Sequence, residues 1–166
     1  MSSRILKTLT VVAFATTLAA CSSVPLEHNQ SSSSGAGEGS AAAGQVMDPF
    51  NPQSPLYQQR SVYFDFNKYN IKEQYRPLIE MHSRYLVAHP SQKVQVQGNT
   101  DARGSAEYNL ALGQRRSEAV AHTMTLLGVN SDQIEAISYG KERPKAAGTT
   151  EADYAENRRA DIVYQH

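Results

Sequence analysis

The chain has 166 residues, with 16 basic side chains balancing 16 acidic ones, one cysteine and no tryptophan. That length suits one domain of ordinary size with terminal extensions. A neutral chain without a basic tract argues against nucleic acid as a partner, and a lone cysteine excludes an intrachain disulfide.

At the amino terminus Arg4 and Lys7 precede an apolar run over residues 9–20. The run is too short for a membrane-spanning helix and fits the apolar core of a secretory signal. It ends in Leu18-Ala19-Ala20-Cys21, which resembles a bacterial lipoprotein box in which Cys21 is lipidated and becomes the first mature residue. An ordinary secretory peptide with Cys21 as a bystander is the alternative. Ser22, rather than aspartate, follows the cysteine, and this resembles the pattern of lipoproteins sorted to the outer membrane. Loss of residues 1–20 would remove two of the basic residues and leave a mature charge near −2. Several acyl chains on Cys21 would hold the protein firmly in lipid, since two lipid signals already suffice.

Residues 21–57 read as the anchor and a tether. The stretch carries Ser31 to Ser34, Gly35, Gly37, Gly39, Gly44, Pro49, Pro52 and Pro55. Such a composition cannot bury enough apolar surface to offset its ordering entropy. A coil of that length spans roughly 30–35 Å and at full stretch about 115 Å. Of this segment, Val46, Met47 and Phe50 are candidates to pack back onto the domain.

The domain proper is expected over residues 58–166. Residues 61–66 alternate Val62, Phe64 and Phe66 with Tyr63 and Asp65, a strand pattern. Residues 71–89 carry Tyr75, Leu78, Ile79, His82, Tyr85 and Leu86 at helical spacing, with Pro77 marking the first turn. His82 lies on that apolar stripe and reads as a satisfied core histidine. Residues 93–98 form a second strand around Val94 and Val96, and residues 106–127 a long helix capped by Ser105 and ended by Gly128. Residues 134–139 make a third strand, 151–156 a short helix and 157–164 a fourth strand. The order β-α-β-α-β-(α)-β defines an α+β domain: a two-layer α/β sandwich with helices packed on a mixed four-stranded sheet.

One stretch carries chemistry. Asp101 stands in a glycine-bounded loop after the second strand, Gly98-Asn99-Thr100-Asp101-Ala102-Arg103-Gly104. On the next helix, with Tyr108 at zero and about 100° per residue, Arg116 falls at about 80°, inside the apolar stripe and beside Asn109. A guanidinium on a core-facing stripe is costly unless an anion meets it, and Asp101 is the nearest candidate in sequence. A fixed cation and a fixed carboxylate in one pocket suit a zwitterion such as an amino acid. A plain structural salt bridge is the alternative at this point. Arg158 and Arg159 read as braces for sheet and loops, and His122 has no neighbouring ligand for zinc.

Val62-Tyr63-Phe64-Asp65-Phe66, the 98–104 loop, Tyr108-Asn109, Leu112-Gly113-Gln114-Arg115-Arg116, Ser138-Tyr139-Gly140-Lys141-Glu142-Arg143-Pro144 and Asn157-Arg158-Arg159 together resemble the OmpA C-terminal-domain family from about residue 61 to 164. The resemblance implies noncovalent binding to the peptide stem of peptidoglycan through its diaminopimelate. Carried over residue by residue, Asp101 and Arg116 would hold the free amino-acid end, Asn109 would line the pocket, and Phe64, Asp65 and Phe66 would give floor and rim, with Asn99 and Thr100 in the loop. The family usually has histidine where this chain has Asn99. The resemblance also implies a lipid-anchored bridge between outer membrane and wall in a Tol-type system, with TolB as partner. A wall-binding lipoprotein without a Tol partner is the alternative. A wall hydrolase would need an activated nucleophile or a metal-bound water, and no H-E-x-x-H, H-x-x-E-H or Cys–His arrangement occurs. No cofactor is implied.

Overall fold

In the computed structural model, residues 47–166 are described. The signal segment, Cys21 and the tether up to residue 46 lie outside them. The elements, in chain order, are α1 (Pro55–Gln58), β1 (Ser61–Tyr63), a 3-10 turn (Glu73–Tyr75), α2 (Arg76–Ala88), β2 (Val94–Asn99), α3 (Ala106–Leu126), a second 3-10 turn (Ser131–Gln133), β3 (Ile134–Gly140), α4 (Glu151–Asn157) and β4 (Arg159–Tyr164). The strands form a mixed sheet in the order β1-β4-β2-β3. The β1–β4 and β4–β2 pairs are antiparallel and β2–β3 is parallel. This is the expected architecture.

Alternation puts one face of each strand in the core: Val62 from β1, Val94 and Val96 from β2, and Ala160, Ile162 and Tyr164 from β4. Helix α2 meets them with Ile79, His82, Ser83 and Leu86, the i, i+3, i+4, i+7 stripe of an amphipathic helix. It begins at Arg76 rather than at residue 71, because Pro77 belongs to the first turn; residues 73–75 make only a 3-10 turn before it.

Helix α3 approaches the sheet at a glycine contact. A Cβ on Gly98 would lie 1.9 Å from the Gly113 carbonyl oxygen, and one on Gly113 would lie 2.3 Å from Ser138 Oγ. Neither position has room for a side chain, so α3 rests with its backbone against β2. The N-cap is Ser105, whose Oγ accepts the Tyr108 N–H at 3.2 Å, and the helix gives way to Gly128 at φ +96°.

Other boundaries differ from expectation as well. Strand β1 stops at Tyr63 instead of 66. The Phe64 N–H still reaches the Arg158 carbonyl at 2.8 Å, but the Asp65 carbonyl accepts the Lys68 N–H, so the chain curls away from β4. The segment from 47 to 57, expected as tether, is instead packed on the domain. Ser54 caps α1, Leu56 is fully buried, and Phe50 stacks on His166 with ring centres 4.2 Å apart. Phe50 packs as its candidacy anticipated, whereas Leu56 stands in a run of proline and polar residues that conceals its burial. Arg60 adds to it, donating from Nε to the Leu56 carbonyl at 3.1 Å and from Nη2 to the Pro49 carbonyl.

Candidate functional site

A narrow cleft opens where β2 ends and α3 begins. Its lining includes Thr100, Asp101 and Arg103 from the loop, Tyr108, Asn109 and Arg116 from α3, and Phe66 from the β1–α2 connection. Its free volume is only about 20 Å³, room for about one water molecule.

The strand delivers the loop at a bulge. Gly98 pairs with Ser138 but Asn99 pairs with Gly140, and the Thr100 N–H then bonds the Gly140 carbonyl at 2.8 Å. Beyond it, Gly104 turns at φ +92°, a conformation side-chain-bearing residues avoid. The Asn109 amide donates to the Arg103 carbonyl at 2.9 Å and ties the loop to α3.

Arg116 has no exposed surface. Its Nε donates to the Lys68 carbonyl at 2.9 Å, Nη1 to the Asn99 carbonyl at 2.8 Å and Nη2 to the Asp65 carbonyl at 3.2 Å. The guanidinium carbon stands 5.2 Å from the centre of the Phe64 ring. Three of five N–H donors are thus spent on backbone, leaving two. Burial pulls this guanidinium down to about 10, against the opposing charge of Asp101, so it remains a cation at neutral pH.

The expected direct pair between Asp101 and Arg116 is replaced by a different arrangement. Arg103 grips Asp101 with its backbone N–H at 3.1 Å and Nε at 3.2 Å on Oδ1, and with Nη2 at 2.6 Å on Oδ2. Arg158 adds Nη1 to Oδ2 at 3.3 Å. The reason is local: a side chain two residues on reaches back over the same turn, while carbonyls of the β1–α2 connection curl around Arg116. Burial works against the Asp101 charge, but the hydrogen bonds and charge of Arg103, with Arg158, hold its carboxyl below the usual carboxylate range. Arg103 itself lies between the Phe66 and Tyr154 rings, 4.3 Å from each centre. Arg158 also bonds the Phe64 carbonyl at 3.2 Å and pairs with Glu151 at 2.7 Å, the bracing role expected of it.

Of the expected site residues, Asp101, Arg116, Asn109, Thr100 and Phe66 come together at the cleft. Three others stand apart from its lining. Phe64 is in the core beneath Arg116. Asp65 turns its carboxylate outward to Lys72 at 2.6 Å. Asn99 sends its side chain to the Gln97 carbonyl at 3.0 Å and to Asp161 at 3.3 Å, and offers Arg116 only its carbonyl. Asp65 and Asn99 therefore serve through their backbone. Arg103, Tyr108 and Asn67 line the cleft unforeseen. Tyr108 donates its hydroxyl hydrogen to Asn67 Oδ1 across the mouth. Asn67 takes a positive φ of 55° in the turn that presents it there.

Among the described residues, no group of three or more His, Cys, Asp or Glu side chains is placed to hold a metal ion.

The mixed sheet, the helices on one face and this charged cleft define an OmpA-like domain. The chain belongs to the OmpA family, whose family model matches residues 63–158. It is similar to the peptidoglycan-associated lipoproteins of Pasteurella multocida (45% identity, 74% of this chain and 82% of that protein) and Haemophilus influenzae (40% identity, 97% and 99%). Among solved structures, the peptidoglycan-associated lipoprotein from Burkholderia pseudomallei superposes with a TM-score of 0.68 at 55% identity, covering 70% of this chain and 98% of that one. The C-terminal domain of Helicobacter pylori MotB shares the fold alone, at a TM-score of 0.59 and 22% identity.

Proposed function

We propose that this protein is an outer-membrane lipoprotein, anchored through acylated Cys21, whose domain binds peptidoglycan noncovalently. The ligand group is the free amino-acid end of diaminopimelate in the peptide stem. The observation that carries this reading is the convergence of Asp101 and the uncommitted N–H groups of Arg116 on one small cleft. Its two opposite fixed charges match an ammonium and a carboxylate on one carbon. The names of its relatives from Pasteurella, Haemophilus and Burkholderia, peptidoglycan-associated lipoproteins, support peptidoglycan as the partner.

A binding role fits the electrostatics better than catalysis does. A general base works best with a pKa near the operating pH, whereas Asp101 is held low by two guanidiniums. It is a fixed anion. By resemblance, the protein would act in a Tol-type system for envelope integrity and cell division, with TolB as its periplasmic partner.

The test is calorimetry of the soluble domain with a diaminopimelate-containing muropeptide and with its lysine counterpart. The lysine form lacks the distal carboxylate that Arg116 would take. Binding of the diaminopimelate form alone is expected; equal binding of both would overturn the site. Capture of TolB by the same domain tests the partner.

A further inference from the structure

The cleft is closed at the atoms that matter. An ionised carboxylate offers about four acceptor positions, and Asp101 has four donors on it: three from Arg103 and one from Arg158. Arg116 has no exposed surface. A ligand ammonium entering this cleft therefore finds its counter-ion already occupied by a cation of the protein's own.

Arg158 cannot yield easily. Its side chain is 8% exposed and is tied to the Phe64 carbonyl as well as to Glu151 and Asp101. Arg103 can. Its side chain is 37% exposed and reaches Asp101 from the solvent side of the loop. It already has a second anion within reach, since its Nη1 stands 3.4 Å from Glu151 Oε2. The rings of Phe66 and Tyr154, each 4.3 Å from the guanidinium carbon, can stay in contact with it over the short shift toward Glu151.

We infer that Arg103 is a displaceable internal stand-in for the ligand's ammonium: it holds the cleft shut at rest and moves toward Glu151 when an ammonium takes its place on Asp101. This rests on the functional reading given above and adds to it a gate with a selectivity consequence. A ligand bearing only a cation must compete with a two-point guanidinium fork and gains nothing else. A zwitterion brings a carboxylate for the spare N–H groups of Arg116 at the same moment. The gate thus favours ligands with both charges on one end.

The apparent affinity of a site that is mostly occupied by its own side chain is reduced by the fraction of time it is open. Arg103→Met should therefore tighten binding of a diaminopimelate-containing muropeptide by roughly tenfold, that being the competition of one partly exposed charge-assisted fork. Arg103→Lys, which keeps the charge but not the fork, should fall between. Glu151→Gln should weaken binding several-fold in the parent protein and clearly less in the Arg103→Met background, where only its contact with Arg158 remains. Weakened or unaltered binding by a folded Arg103→Met protein, verified by circular dichroism, would overturn the gate. So would an effect of Glu151→Gln that is equally large with and without Arg103. Asp101→Asn separates this failure from that of the site itself: a parent protein that does not bind, or an Asp101→Asn protein that binds equally well, overturns the functional reading instead.

Discussion

The two ends of strand β2 treat buried polar groups in opposite ways. At its start, His82 is fully buried, yet every ring nitrogen is satisfied. Its Nε2 lies 2.7 Å from the Gln59 carbonyl, which can only accept, so that nitrogen carries the hydrogen and Nδ1 accepts from the Tyr164 hydroxyl at 2.9 Å. Rings from Tyr85 and Phe50 stand edge-on to Tyr164, and the Arg60 guanidinium lies over its face, 5.8 Å from the ring centre. At the far end of β2 the buried groups are ions. Arg116 keeps donors in reserve and Asp101 is held by a side chain that is itself partly exposed. A fully satisfied neutral network adds rigidity. A charged one with unspent capacity is where a ligand can enter.

The most severe way to break this contrast is to remove Arg116. Arg116→Met leaves the carbonyls of Asp65, Lys68 and Asn99 without that donor, and each buried acceptor stranded this way costs about 1–3 kcal/mol. Urea unfolding should show a loss of about 3–5 kcal/mol, with muropeptide binding abolished. Gly98→Ala comes next. Its new methyl would meet the Gly113 carbonyl at 1.9 Å, and α3 must shift away from β2. Overpacking of this kind costs about 1–3 kcal/mol and should weaken binding as well, since α3 carries half the cleft.

The neutral end can be probed by acid alone. Burial lowers His82 from 6.5 to about 4. The unfolded chain binds more protons than the native one in that window, so stability present above about pH 6.5 is lost as pH falls toward 4. The loss should approach about 3 kcal/mol, and urea midpoints of His82→Gln should show that segment of the pH profile flattened. Asp101 has the sign usual for a depressed carboxylate: its contribution holds above the unfolded value of 3.8 and fades as pH falls below it. Asp101→Asn should accordingly abolish ligand binding while costing less stability than loss of Arg116. Smallest of all is Asp65→Asn. Its carboxylate meets Lys72 at the exposed surface of the connection, where an ion pair adds little and salt screens it. No measurable change in melting temperature is expected.

Much of this was legible from residue spacing. The order of strands and helices follows from alternation and helical stripes, and the angle of Arg116 on its helix singled it out as a buried cation before any contact was known. The histidine on the α2 stripe also read correctly as a satisfied core group. What spacing could not convey is who meets Arg116. Three backbone carbonyls, two from a curled connection and one from a strand end, have no side-chain signature. Arg103 was hidden for the opposite reason: its contact with Asp101 is so local that it reads as loop chemistry. Arg158 lies 57 positions from the same carboxylate, and only the sheet order brings them together. The close approach of Gly98 and Gly113 is likewise a property of two elements, readable in neither one.

The opposed placement of the two ends has a mechanical meaning. Residues leading back to Met47 leave the domain beside Tyr164, which pairs with Val94 at the start of β2, while the cleft lies past Asn99 at its end. A pull between that exit and a ligand in the cleft runs along the six residues of β2, about 20 Å of strand. A load entering at that exit meets β1 first, the next strand along the chain, and reaches β2 only through the β1–β4 and β4–β2 ladders. Three strands thus share what one terminus receives.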